Sequence, residues 1–127
     1  MDTTSHERTS SDMAEIEAVL RDYIEGWYGG DTTRMDHALH NDLVKRIPVV
    51  DEAAGSGLRS FTKERMLELT AEGGGDMADP VFEIYVDEIA TDMASARLRS
   101  PEYLDFVHLA KTTDGWKMAN VLFHVRE

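Results

Sequence analysis

Asp105 is the residue of this chain best placed for acid–base chemistry. It lies in the run Tyr103–Leu109, where its neighbours at alternate positions are apolar or aromatic. If that side of the predicted strand faces the interior, burial raises the pKa of the Asp105 carboxyl group, and the residue could then act as a general base near neutral pH. The alternative is that Asp105 pairs with Arg97, Arg99 or a backbone group at the edge of the sheet.

Tyr23, Trp27 and His40 are further candidates, and each has a structural alternative. Tyr23 and Trp27 lie on the apolar side of a predicted first helix. They are either site residues or core aromatics whose polar tips are hydrogen-bonded. His40 closes a predicted second helix and carries an imidazole, which titrates near neutral pH. Its alternative role is to interact with the last carbonyl groups of that helix.

Other kinds of catalytic site are not expected. The sequence has no cysteine and contains neither His-x-x-x-His nor His-x-His, so thiol chemistry and a metal site are not predicted. We find no Gly-x-Ser-x-Gly, phosphate loop or dinucleotide fingerprint, and we expect no cofactor. Gly73–Gly75 lacks the Lys-Ser/Thr that follows in a phosphate loop, and we interpret it as a linker.

The strongly acidic composition restricts the partners. Thirteen Lys and Arg residues stand against 25 Asp and Glu residues, which gives a net charge of −12. Nucleic-acid phosphates and anionic membrane surfaces are therefore not expected partners. No run of about 18 apolar residues predicts a transmembrane helix. The first residues lack the apolar segment of a signal peptide, so we expect a cytoplasmic protein.

Capping residues and apolar periodicity predict three helices after a flexible tail over residues 1–11. The first helix is expected to start at Asp12, with Glu15 completing a capping-box-like pair. Asp31 is expected to cap the second helix and Thr62 the third. The predicted inward residues of the second and third helices are Met35, Ala38, Leu39, Met66, Leu67, Leu69 and Thr70.

Alternating patterns predict five strands. They are Leu43–Ile47, stopped by Pro48, and then Val81–Ala90, Met93–Ser100, Tyr103–Lys111 and Trp116–Val125. The last two strands are expected to form a hairpin around Asp114-Gly115, and residues 51–57 a flexible loop. Helices first and strands last predict an α+β fold, a single domain over residues 12–127 with the helices on one face of a curved, mostly antiparallel sheet.

The final hairpin has no properly polar side. An antiparallel sheet with one exposed face usually alternates apolar and polar residues. On both strands apolar side chains occur at odd and at even positions. We therefore predict a homodimer that covers the sheet face opposite the helices. The alternative is that these are scattered surface residues, which are common.

Three stretches of the sequence carry a resemblance to a known family: VLRDYIEGWYGGD (residues 19–31), ALHNDL (38–43), and YLDFVHLAK followed by GWKMAN (103–120). They resemble the nuclear transport factor 2-like superfamily, and more narrowly its Putative lumazine-binding family. The resemblance spans about residues 12–126. It implies the cone-shaped, cystatin-like fold shared with ketosteroid isomerases and polyketide cyclases, in which homodimers through the sheet are common.

The resemblance also implies roles for two residues. In the resembled isomerases a tyrosine of the first helix donates a hydrogen bond to a developing enolate oxygen, and Tyr23 lies in a loosely similar place. His40 lies in a region where the resembled enzymes often hold an acid or a base. A cone of sheet and helices usually leaves a cavity at its wide end.

We therefore expect a homodimeric domain that binds a small apolar or aromatic molecule between the helices and the sheet. The residues expected to contact it are Tyr23, Trp27, His40, Met66, Tyr103 and Asp105. The alternative is an isomerase, cyclase or dehydratase that needs no cofactor and abstracts a proton next to a carbonyl group. Asp105 or His40 would then be the base and Tyr23 the oxyanion donor. A pure interaction module is a third, weaker interpretation.

Overall fold

The computed structural model describes residues 3–53, 55–75 and 78–126, with side chains from residue 10 on. Its elements are α1 (Thr3–Gly29), α2 (Thr32–Ala38), β1 (Leu39–Asp51), β2 (Gly55–Phe61), α3 (Lys63–Ala71), β3 (Glu83–Ile89), β4 (Met93–Arg99), β5 (Tyr103–Thr112) and β6 (Gly115–Val125). Within these ranges, no helix combines the length and the apolar character needed to cross a membrane.

The strands form one curved sheet with the order β2-β1-β6-β5-β4-β3. All neighbouring strands are antiparallel except β1 and β6, which run parallel. The helices pack on one face, which we call the inner face, and the core lies between them and the sheet. The predicted α+β class is therefore confirmed.

The first helix begins at Thr3, so the prediction that it starts at Asp12 is wrong. Asp12 and Glu15 have other partners: the Asp12 carboxylate accepts a hydrogen bond from the Trp116 indole (3.0 Å), and Glu15 accepts one from the Trp116 backbone N–H (2.6 Å). These bonds tie the helix to β6. Within the predicted tail, residues 3–11 have a helical backbone, and residues 1 and 2 lie outside the described residues.

The two helix caps that the sequence predicts are confirmed. The Asp31 carboxylate accepts a hydrogen bond from the Arg34 backbone N–H (3.1 Å), and the Thr62 hydroxyl accepts one from Arg65 (3.1 Å). Each cap satisfies a backbone N–H that has no partner within the helix.

The strand after α2 is longer than predicted. β1 starts at Leu39, so His40 belongs to this strand and does not close the helix. The strand also continues through Pro48, which pairs with Leu58 of β2. At that level β1 pairs with β2 only, so the missing N–H of proline breaks no bond to β6. β2 occupies part of the predicted loop 51–57, which is corrected accordingly.

The last hairpin forms as predicted but contains a β-bulge at Ala119. The register passes from His108 opposite Asn120 to Leu109 opposite Met118, so Ala119 has no partner on β5. The bulge reverses the alternation of β6. Trp116 and Met118 are buried before it, and Val121 and Phe123 are buried after it. Strict alternation, as predicted, would have placed these two pairs on opposite faces.

Gly73–Gly75 is a packed turn against the end of α1 and not a plain linker. The Gly75 N–H donates to the Trp27 carbonyl oxygen (3.2 Å). Gly74 has φ +55°, and a Cβ atom there would lie 2.0 Å from the same oxygen. Any other residue at position 74 would therefore displace the turn.

Candidate ligand-binding site

A cavity of about 160 Å³ lies between α1, α3 and the inner face of the sheet. Its lining comes from separate elements: one residue from α1, two from α3 and four from β1, the end of β2, β5 and β6. The lining residues are Trp27, Lys45, Phe61, Met66, Leu69, Tyr103 and Phe123. Six of them are apolar or aromatic, so Lys45 is the only charged group among the described residues that line this cavity.

The aromatic lining residues form a continuous wall. The rings of Trp27 and Tyr103 meet edge to face with their centroids 6.4 Å apart. Phe123 continues the wall, with centroids 6.0 Å from Tyr103 and 6.0 Å from Phe61. Edge-to-face and tilted contacts at this distance are favourable, so the wall is held in place by its own packing.

Lys45 projects from β1 onto this wall and is 7% exposed. Its Nζ lies 4.5 Å from the Phe123 ring centroid, 5.0 Å from that of Tyr23 and 5.8 Å from that of Trp27. Nζ also donates a hydrogen bond to the Tyr23 hydroxyl. Burial lowers the pKa of the Lys45 ammonium, and the negative charge of Asp105 opposes that shift.

Asp105 lies on the inner face of β5 and is 1% exposed. Neither carboxylate oxygen has a hydrogen-bond partner among the described residues. Burial raises the pKa of the Asp105 carboxyl group from 3.8 to about 6, while the Lys45 charge and the Tyr23 hydroxyl lower it. The carboxyl group is therefore a proton acceptor that titrates close to neutral pH.

Tyr23 lies between the two charged groups in the interaction network. Its hydroxyl oxygen accepts a hydrogen bond from Lys45, so the phenolic proton is not used by that bond. Burial and then the Asp105 charge raise the pKa of the Tyr23 phenol, so Tyr23 stays protonated. We call Lys45, Tyr23 and Asp105 the buried polar cluster.

The structure brings most of the predicted site residues together. Trp27, Met66 and Tyr103 line the cavity, and Tyr23 and Asp105 belong to the cluster behind it. His40 is elsewhere: its side chain is 31% exposed, and its Nδ1 accepts from the Asp42 backbone N–H (2.9 Å). The roles of all these residues in binding or catalysis stay predictions.

The alternative pairing of Asp105 with an arginine is not what the structure shows. Arg97 makes bidentate contacts with Asp87 on the outer face, the sheet face opposite the helices (2.9 and 3.1 Å). Arg99 is an exposed residue of the same strand, β4.

Sequence reasoning missed Lys45, Phe61, Leu69 and Phe123 as lining residues. Lys45 had a usable signal, because it lies between Leu43 and Ile47 at alternate positions of a predicted strand. A lysine in an apolar inward row is expensive to bury and therefore marks a possible site.

Comparison with known proteins gives the family. The family model described as "Putative lumazine-binding" matches residues 11–124. The chain belongs to this family. Among curated proteins, no sequence matches the chain.

Solved structures with similar folds include several members of the nuclear transport factor 2-like superfamily. An NTF2-like protein of unknown function from Silicibacter pomeroyi has a TM-score of 0.77 and 15% identity, covering 93% of this chain and 98% of its own. Another from Shewanella baltica has a TM-score of 0.77 and 21% identity, with coverages of 93% and 96%. A hexachlorocyclohexane dehydrochlorinase (LinA Type2) has a TM-score of 0.65 and 13% identity, with coverages of 98% and 90%. At these identities the likeness shows the fold alone.

Proposed function

We propose that this lumazine-binding family member binds a small aromatic or apolar molecule in the cavity between the helices and the sheet. The observation that carries the proposal is the aromatic-walled cavity, in which the buried Lys45 is the single charged side chain that the described part of the chain contributes to the lining. Ligand pockets are typically concave and apolar, with a few polar groups that orient the ligand. The description of the family as lumazine-binding supports a ring compound as the ligand class.

The cavity volume limits the size of the ligand. Pockets for drug-sized molecules have volumes of about 300–1,000 Å³, whereas an engineered cavity of about 150 Å³ holds benzene. At about 160 Å³ this cavity matches one six-membered ring with a small substituent. A two-ring compound would require side chains of the wall to move.

Lys45 determines the polarity that the ligand should have. An ammonium group has three donors, and one is used by Tyr23. The remaining donors favour a ligand with a carbonyl or carboxylate oxygen at the end that meets Lys45. We therefore propose a one-ring molecule with one such oxygen.

A substitution that fills the cavity tests this proposal. Leu69→Trp replaces an aliphatic lining side chain by a larger indole ring, which should fill the cavity. Leu67→Trp is the matched control, because Leu67 is on the same helix and packs at the edge of the core without lining the cavity. Calorimetric titration with benzoate and benzyl alcohol should show binding to the wild type and to Leu67→Trp, and none to Leu69→Trp. Equal binding by all three proteins would contradict the proposal.

A second candidate function is proton abstraction next to a carbonyl group, without a cofactor. The observation that favours it is Asp105, which is buried, has no hydrogen-bond partner within the residues that the structure describes, and has a pKa of about 6. A base with such a pKa is mostly ionised at neutral pH and is well matched to proton transfer. Tyr23, with its proton retained, would stabilise the enolate oxygen.

Deuterium exchange tests the second candidate. The methyl protons of acetophenone, a one-ring ketone, should exchange in D2O faster with the wild-type protein than with Asp105→Asn, by about 10²- to 10⁴-fold for one general base. An exposed carboxylate variant, Asp114→Asn, should leave the exchange rate unchanged. Equal exchange with the wild type and Asp105→Asn would remove this candidate.

For the assembly, we propose a homodimer through the outer face. Phe106 and Leu122 lie opposite each other on β5 and β6, and they are 51% and 44% exposed. Alternation and register place on the outer face Leu104, Phe106, His108, Ala110, Thr112, Lys117, Asn120, Leu122 and His124, and none of these residues carries a carboxylate. A chain with a net charge of −12 repels its copies least at such a face.

Sedimentation equilibrium tests the dimer. Leu122→Asp introduces a carboxylate at the centre of the outer face and should give a monomer. Val50→Asp is the control, because Val50 is an exposed residue near the end of β1. The wild type and Val50→Asp should both be dimers. A monomeric wild type at micromolar concentration would contradict the proposed dimer.

A further inference from the structure

We propose that Lys45 forms a covalent imine with the aldehyde or ketone group of a one-ring ligand. This inference rests on the proposed function of the cavity and names the ligand class as aromatic carbonyl compounds. Non-covalent binding needs only a hydrogen-bond donor at this position. The surroundings of Lys45 also favour covalent chemistry, because they provide the features that a nucleophilic lysine requires.

The first feature is access of the amine to the cavity. Lys45 lines the cavity, while its side chain is almost fully enclosed by aromatic rings. The other lysines, Lys63, Lys111 and Lys117, are not among the lining residues, and each has an oxygen partner. Lys63 contacts Asp36 (3.1 Å), Lys111 contacts Asp12 (3.0 Å), and Lys117 donates to the His37 carbonyl oxygen (2.6 Å).

The second feature is the state of the amine. Burial lowers the pKa of Lys45, which increases the fraction of neutral amine at neutral pH. Lys45 donates one N–H to the Tyr23 hydroxyl, so the lone pair of the neutral amine is not used by that bond. The ammonium has no ion pair with a carboxylate in the described part of the chain, in contrast to Lys63 and Lys111.

The third feature is a proton acceptor and donor in the same cluster. The Asp105 carboxylate, which has no hydrogen-bond partner among the described residues, acts by its charge on both Lys45 and Tyr23. In the proposed route the Tyr23 hydroxyl, whose oxygen accepts a hydrogen bond from Lys45, turns its own proton towards the Asp105 carboxylate and so passes a proton between the two groups. This route keeps the proton inside the protein.

The proposed reaction is balanced within the cluster. Lys45 ammonium transfers a proton through Tyr23 to the Asp105 carboxylate. The neutral amine then attacks the carbonyl carbon, a C–N bond forms, and the ammonium proton of the adduct moves to the former carbonyl oxygen to give a carbinolamine. Asp105 returns its proton through Tyr23 to the carbinolamine hydroxyl, the C–O bond breaks, and water leaves. The products are a protonated imine on Lys45, ionised Asp105 and one water molecule.

Reductive trapping tests the imine. The full-length protein is incubated with benzaldehyde and sodium cyanoborohydride at neutral pH, and the benzylated lysines are located by peptide mass spectrometry. Lys45 should be labelled about tenfold faster than Lys63, Lys111 or Lys117 for each unit by which its pKa is lowered. Benzyl alcohol, which has the same ring without a carbonyl group, should protect Lys45 from labelling.

Two variants show that the labelling depends on the cavity. Leu69→Trp should abolish the preference for Lys45 while the surface lysines react as before, and Leu67→Trp should retain it. Lys45→Met removes the amine and replaces a buried charge by an apolar chain of similar length, so the specific label should disappear.

The failure of the imine and the failure of the cavity have different results. If benzyl alcohol binds but benzaldehyde labels Lys45 no faster than the other lysines, the imine proposal is overturned and the ligand-binding proposal stands. If benzyl alcohol does not bind and the label is spread evenly over all lysines, both proposals are overturned. Preferential labelling of Lys45 that benzyl alcohol suppresses supports both.

Discussion

Replacing Asp105 by asparagine should stabilise the protein, and the gain should grow with pH. Burial raises the pKa of the Asp105 carboxyl group in the folded state from 3.8 to about 6. A difference of roughly two pKa units, at 1.36 kcal/mol per unit, corresponds to about 3 kcal/mol. Because Asp105 is 1% exposed, solvent screening does not reduce this value much.

The sign of the effect follows from proton binding. Between about pH 4 and pH 6 the folded protein retains the Asp105 proton and the unfolded chain releases it, so the unfolded state binds fewer protons. The free energy of unfolding of the wild type therefore falls as the pH rises through this window. The penalty is absent below about pH 4 and complete above about pH 6. Asparagine cannot ionise, so Asp105→Asn avoids the penalty.

The loss of the Asp105 charge, which favours the ammonium form of Lys45, makes the gain smaller. The Asp105 charge raises the pKa of the Lys45 ammonium, so Asp105→Asn leaves that ammonium without its counter-charge. We expect a net gain of about 1–3 kcal/mol near pH 8 and a value near zero at about pH 4.

Urea denaturation of both proteins from about pH 4 to pH 8 measures this difference. Asp114→Asn is the control, because this exposed residue precedes Gly115 in the hairpin turn and Asn-Gly suits the turn as well as Asp-Gly. Its difference from the wild type should not vary with the pH. A flat difference for Asp105→Asn, or one that grows towards low pH, would refute the burial argument.

Two further predictions concern the contacts that hold the helices to the sheet and to each other. Gly74→Ala should lower the free energy of unfolding by about 1–3 kcal/mol, because the new Cβ atom would lie 2.0 Å from the Trp27 carbonyl oxygen. Gly57→Ala is the control: Gly57 has open space around it, so this substitution should change the free energy of unfolding by less than about 0.5 kcal/mol. Glu15→Ala should lower the free energy of unfolding by about 1–3 kcal/mol in the same urea assay, because it removes the acceptor of the Trp116 backbone N–H. Glu15→Gln keeps an acceptor oxygen and should recover part of that stability. Equal stability of Glu15→Ala and the wild type would contradict the role of this bond.

The features that the sequence predicted well depend on neighbouring residues. Asp31 and Thr62 cap helices through bonds to residues three positions further on, and Gly115 supplies the positive φ of the hairpin turn. Such local chemistry can be recognised in the sequence because both partners are close in it. The burial of Ala94, Ala96 and Leu98 on one side of β4 was equally accessible from strict alternation.

The features that the sequence did not predict depend on partners that are distant along the chain. The polar, glycine-containing residues 51–57 predict a loop, but the part from Gly55 on belongs to β2 because it pairs with β1. The β-bulge at Ala119 depends on how β6 pairs with β5. The start of α1 was misjudged because Asp12 and Glu15 bind Trp116, which is about 100 residues away in the sequence.

The candidate site was predictable in part. Asp105, Trp27, Met66 and Tyr103 stood out as polar or large residues on predicted inward faces, and the structure places them in or beside the cavity. The site role predicted for His40 depends on α2 ending at this residue. In the structure β1 begins at Leu39, so His40 is a strand residue and is not among the lining residues of the cavity. The alternation of Leu43, Lys45 and Ile47 marks Lys45 as an inward residue, but its contact with Tyr23 joins α1 to β1 and is defined only by the folded chain.

The most direct test of the ligand cavity is the methyl NMR spectrum of methionine-labelled protein during titration with benzyl alcohol. Met66 lines the cavity, and Met93 is an exposed residue of β4 outside it. The proposed binding predicts a saturable shift of the Met66 methyl signal with no comparable shift of Met93. A Met66 signal that does not move, or equal small shifts of both signals, would contradict binding in this cavity.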